Sequence, residues 1–222
     1  MNKLTLTTLA LAAGFFANTA FAQYEGQFLI RGGVTRITPK VESGDLTAPA
    51  PTGSKVDNGP STRPGGGISL MMTDNISVDI PLAPPFKFPV YGTGAIQGVG
   101  KIGSVQSLPA TQFVQYRFFD AETAFRPYVG LGVTYAYFFK EQSSAALTGL
   151  TNPGGPATRL SVKSKFAPTV QVGFSYMLAD PYFIDVSYAK TFLKTRATLS
   201  TGQTQELVLN PRTLQIGVGM AL

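Results

Sequence analysis

The chain has 222 residues, and only 14% of them are charged, against roughly 25% in soluble domains. Its net charge is +6, but the Lys and Arg are scattered rather than clustered, so no nucleic-acid surface is expected. There is no cysteine and no histidine, which excludes disulfides, thiolate metal sites and a Ser-His-Asp triad; the composition argues against an enzyme, and no metal or cofactor is expected.

The first segment reads as an address. Met1-Asn2-Lys3 is a positive start, and Leu9 to Phe16 is an apolar run too short to span a bilayer. Ala20-Phe21-Ala22 is a small-x-small cleavage site before Gln23. Residues 1–22 therefore read as a secretory signal peptide, and residues 23–222 as one exported domain. An uncleaved anchor is the alternative, opposed by the short run and the Asn18-Thr19 interruption. No later run of 18 apolar residues predicts a transmembrane helix.

The rest alternates with a period of two, the period of a β-strand. Strand 1 runs from about Gln27 to Thr38, with Phe28, Ile30 and Val34 opposite Arg31, Gly33 and Thr35. Lys40 to Arg63 is a polar loop rich in Pro and Gly. Strand 2 carries Ile68, Leu70 and Met72, and the turn Thr73-Asp74-Asn75 leads to strand 3, with Ile76, Val78, Ile80 and Leu82 opposite Ser77, Asp79 and Pro81. Phe86 to Ser107 is a glycine-rich loop with room for some strand at its ends. Strand 4 sets Val114, Tyr116 and Phe118 against Thr111, Phe113, Gln115 and Arg117. Strand 5, Phe125–Phe139, has bulky residues at Val129, Leu131, Val133, Tyr135, Tyr137 and Phe139, with Gly, Thr and Ala between. A long loop, Lys140–Val162, precedes strand 6 (Val170, Val172, Phe174, Tyr176) and strand 7 (Tyr182, Ile184, Val186, Tyr188, Phe192). A modest loop near Gly202 precedes strand 8, with Leu214, Ile216, Val218, Met220 and Leu222.

Short connections follow strands 2, 4 and 6; longer ones follow strands 1, 3, 5 and 7. An even strand count with this alternation is the pattern of an outer-membrane barrel. The bulky faces suit lipid, and closure leaves no unpaired backbone in hydrocarbon. Aromatics cluster at both strand ends: Phe118, Phe119, Phe125, Tyr176, Tyr182 and Phe183 at one, Tyr135, Tyr137 and Phe139 at the other. A lipocalin-like soluble barrel would need a charged outer face, which neither face supplies. The predicted fold is all-β: an eight-stranded antiparallel transmembrane β-barrel with short periplasmic turns and longer extracellular loops, in the outer membrane of a Gram-negative-type cell.

Arg31, Asp79, Arg117 and Asp185 fall on the predicted lumen face. So narrow a barrel is filled by side chains, so these charges should pair into a plug or form a gate. Leu29, Met71 and Phe113 are also inward, for packing or for a ligand path. Lys190, Lys194 and Arg196 would snorkel or meet acidic outer-leaflet lipid such as lipopolysaccharide.

Several segments, in order, resemble the OmpW family of small outer-membrane proteins: Met72–Val78, Pro84-Pro-Phe86, Leu108-Pro-Ala-Thr111, Phe125–Val133, Lys165–Phe174 and Leu209-Asn-Pro211. The family usually closes on an aromatic residue, whereas this chain ends Gly219-Met-Ala-Leu222, so recognition of the last strand by the barrel-assembly machinery is expected to persist in weakened form. The resemblance implies a narrow apolar interior, passive passage of small hydrophobic molecules, and lateral exit through a gap near strands 3 and 4. Pro81, Pro84 and Pro85 fit such a gap, because proline gives no N–H to a neighbouring strand. Phe86, Phe88, Val90, Leu108 and Phe113 are candidates for the apolar lining. The alternative is a structural or surface-interaction barrel of the OmpX or OmpA type, with a plugged lumen and binding by its extracellular loops.

Overall fold

Side chains that alternate along a strand must part to opposite faces, and here the large ones part outward. The structure, a computed structural model, describes residues 23–48 and 50–222. The expected signal peptide lies outside the described residues.

The strands in chain order are β1 (Phe28–Thr38), β2 (Glu42–Ser43), β3 (Ser54–Asn58), β4 (Ser61–Met71), β5 (Ile76–Leu82), β6 (Phe86–Gly94) and β7 (Lys101–Arg117). After β8 (Phe125–Ser143) comes a short helix, α1 (Ala145–Thr151). Then follow β9 (Leu160–Val162), β10 (Lys165–Ala179), β11 (Tyr182–Thr191), β12 (Lys194–Leu199), β13 (Thr204–Val208) and β14 (Arg212–Ala221). Eight of them close a ring in the order β1-β4-β5-β7-β8-β10-β11-β14 and back to β1, every neighbour antiparallel. The seam between first and last strand runs from Leu29↔Ala221 to Thr38↔Arg212. Below it, the Phe28 N–H donates to the Leu222 carbonyl at 3.0 Å, and the Leu222 N–H returns the bond at 2.8 Å. Glycines let this seam close tightly: a Cβ on Gly33 would lie 2.1 Å from the Ile216 carbonyl oxygen.

Leu131, Phe166 and Val218 are 72%, 73% and 64% exposed on the outside of the ring. An apolar surface of this extent belongs against hydrocarbon rather than water. Most of the residues that alternate with the outward ones are small or polar and face a buried interior. The aromatic belts hold except at Phe183, which is 1% exposed. It points inward to pack with Leu29, Met71, Met177 and Ala221 at the periplasmic end, because the register puts it opposite Met177, on the lumen face.

Three predicted loops prove more regular than expected. Within Lys40–Arg63 lie β2, β3 and the start of β4. Phe86–Ser107 is mostly strand: β6 pairs with the upper half of β7. Its buried Phe86, Phe88 and Val90 alternate with exposed Lys87, half-buried Pro89 and exposed Tyr91, an alternation that the proline and the following glycines conceal. Lys140–Val162 holds the end of β8, α1 and β9. α1 starts at Ser144, whose side chain accepts the Leu147 N–H. The modest loop at Gly202 is the tip of the β12–β13 hairpin. Outside the membrane, β2, β13, β12 and β9 form a second sheet. Its side-chain polarity is reversed: on β12, Ala197 and Leu199 are buried while Lys194 and Arg196 face out. Arg196 pairs with Glu206 on the surface.

Candidate functional site

The lumen has three levels. At the periplasmic level it is filled. Arg31 on β1 grips Asp79 on β5 with both terminal nitrogens, at 2.8 and 3.0 Å, and its Nε lies 3.4 Å from Asp185 on β11. Ser69 donates to Asp79 at 2.6 Å, and Tyr128 donates its phenol proton to Asp185 at 3.0 Å. Arg117 stands apart from both carboxylates' direct bonds. It donates to the Gln23, Ser77, Gln115 and Ser175 side chains, and its guanidinium lies over the Tyr128 ring at 4.7 Å. Gln115 in turn donates to Gln171 at 2.8 Å. Thus three of the four charges expected in the lumen form one ion-paired group, and Arg117 is held through neutral partners.

Tyr128, Arg126, Gln23, Gln115 and Gln171 belong to this level but were not singled out from the sequence. Tyr128 and Arg126 share the inward parity of Gly130 and Gly132 on β8, and that parity is the signal that points to them. Arg126 donates to the carbonyls of Gln23, Phe119 and Asp74 and ties the periplasmic turns together.

Above the plug lies a cavity of about 110 Å³. Ile37, Phe86, Phe88, Phe113, Phe138, Leu193 and Leu209 make its walls apolar, and threonines and glutamines make its floor. A second, almost wholly apolar cavity of about 70 Å³ sits above it, lined by Val90, Ile102, Leu147, Leu199 and Leu207 among others. Asn58, Phe88, Phe138 and Leu209 border both, so they form the neck between the two.

The wall is discontinuous beside the lower cavity. β5 pairs with β7 only from Ile76↔Tyr116 to Asp79↔Phe113. β6 takes over on the same edge of β7 at Phe86↔Ser107. Leu108 to Gln112 of β7, and Ile80 to Pro85 opposite, have no ladder between them. Pro81, Leu82 and Ala83 on one side and Pro109 and Thr111 on the other line the cavity, so the break faces it. Pro84 is exposed and Pro85 half-buried on the segment joining β5 to β6. Leu108 points outward, 37% exposed, on the rim of the break rather than in the lining. Extrapolating the β5–β7 register upward would set Leu82 opposite Ala110.

The model of the OmpW family matches residues 24–222. The chain belongs to the OmpW family. This OmpW-family barrel is 34% identical to outer membrane protein W of Vibrio cholerae over 221 residues, 98% of each chain. Among solved structures, it is similar to the crystal structure of the outer membrane protein OprG from Pseudomonas aeruginosa, with a TM-score of 0.82 and 25% identity, covering 92% of this chain and 99% of that one. It also shares its fold with the solid-state NMR structure of the outer membrane protein AlkL in DMPC lipid bilayers, at a TM-score of 0.68 and 23% identity over 93% and 95% of the two chains. The OmpW-family barrel is an outer-membrane protein of the Gram-negative type, and its ring of eight strands is the membrane-spanning part.

Proposed function

We propose that this barrel passes small hydrophobic molecules from the outside into the lower cavity, and that they leave sideways between β5 and β7. The observation that carries this reading is that residues from both banks of the pairing break, Pro81, Leu82 and Ala83 with Pro109 and Thr111, also line the apolar cavity. A downward route meets the filled lumen around Arg31 and Arg117. An upward route is apolar through the neck at Phe88 and Phe138. A hydrophobic solute gains by moving from water into such a lining, and gains again by passing into the bilayer core.

The test is uptake of a hydrocarbon by cells with and without the protein, repeated with a stitched gap. The chain has no cysteine, so Leu82→Cys with Ala110→Cys gives a unique pair for a cleavable bifunctional thiol reagent. Uptake should fall to the level of cells lacking the protein when the reagent is in place and return when it is cleaved. Unchanged uptake with the pair joined would rule out the lateral route. The filled lower lumen favours a second reading, a surface-interaction barrel whose loops bind a partner. That reading expects equal hydrocarbon uptake with and without the protein, and loss of partner binding when residues 140–162 are shortened.

A further inference from the structure

The lower cavity is apolar above and hydroxyl-bearing below. Four threonines on four successive strands of the ring line it: Thr111 on β7, Thr134 on β8, Thr169 on β10 and Thr191 on β11. Their Oγ1 atoms make a continuous chain with successive distances of 2.8, 2.6 and 3.0 Å. Each hydroxyl has one proton to give. Thr169 gives its proton to Thr191. Thr134 must then donate to Thr169, and Thr111 to Thr134. The chain is therefore polarised in one direction, each link strengthening the next. It ends at Thr191 with a proton that makes no hydrogen bond among the described residues.

Thr35 on β1 lines the same cavity, is 6% exposed, and its Oγ1 has no hydrogen-bond partner among the described residues. A buried hydroxyl without a partner is disfavoured, so Thr191 and Thr35 are groups that a polar guest would satisfy. Among the described residues, no charged side chain lines the cavity. Asp79 and Asp185, in the plug beneath it, already hold Arg31. A carboxylate or ammonium arriving there would lose its water and find no counter-charge.

We infer that the cavity takes small amphiphiles with an uncharged oxygen-bearing head, an alcohol or a carbonyl, in preference to bare hydrocarbons and to fatty-acid anions. The head accepts from Thr191 or from Thr35, and the tail lies against Phe86, Phe88 and Phe138. This rests on the reading of the cavity as the path of the solute.

The test titrates 1-hexanol, hexane and hexanoate into the barrel in micelles, followed by methyl NMR shifts. Hexanol should bind about five- to tenfold tighter than hexane, the worth of one good hydrogen bond, with hexanoate the weakest. Thr191→Val and Thr35→Val keep the volume and remove the hydroxyl, and each should erode the preference for hexanol while leaving hexane unchanged. Thr35→Val breaks no hydrogen bond of the empty barrel, so its result is independent of any effect on folding. Hexane bound as tightly as hexanol, or a preference that survives both substitutions, overturns this inference and leaves the proposed function standing. No binding of any of the three overturns both.

Discussion

Arg31 shows how one residue organises the lower lumen. A charge buried there is tolerable only because Asp79 meets its fork with two bonds and Asp185 closes the third side. Asp79→Asn should therefore cost about 3–5 kcal/mol, the typical penalty for stranding one member of a buried pair. The measurement is the urea midpoint of unfolding, followed by the heat-sensitive gel mobility of the folded barrel; an unchanged midpoint would contradict a structural role. These charges were legible in the sequence because a charge at inward parity in a narrow barrel needs an opposite charge nearby. Tyr128, Gln115 and Gln171 were not, because a neutral polar residue does not declare its partner. Arg126 escaped for another reason: its partners are backbone carbonyls at the turns, whose positions no side-chain pattern reveals.

Among the elements, the eight ring strands could be read from their period of two because lipid on one side and lumen on the other make the alternation sharp. The strands above the membrane could not. β6 was hidden because its buried Phe86, Phe88 and Val90 sit among proline and glycine, and β12 and β13 because their outer face is polar like any loop. The prolines pointed to the region where β5 and β7 part, but the extent of the parting is set by where β6 joins β7, a long-range pairing beyond local reading. The seam of β1 with β14 depends on backbone approach at glycine. A methyl group at Gly33 has no room beside the Ile216 carbonyl, so Gly33→Ala must force these two strands apart. The folded fraction recovered after refolding into micelles should drop, while alanine at the open position Gly32 should leave it intact.

The whole molecule follows two solvent rules in one chain. Across the membrane it is apolar outside and polar inside; in the extracellular storey it is apolar inside and charged outside. The bilayer-facing rule makes a direct prediction. Leu131 lies mid-strand and 72% exposed on β8, so Leu131→Arg should destabilise the barrel in lipid vesicles by about 2–4 kcal/mol, the cost of a cation near the bilayer midplane. The same change at Thr198, exposed on β12, should have little effect on the same unfolding curve. The mutual bonds of Phe28 and Leu222 carry one more consequence. The earliest strand of the barrel has its mate in the one synthesised last, so a polypeptide emerging in order cannot complete its cylinder piecemeal. It must be kept unassembled until β14 arrives, and a copy cut short before β14 would be left with two raw borders and nothing to join them.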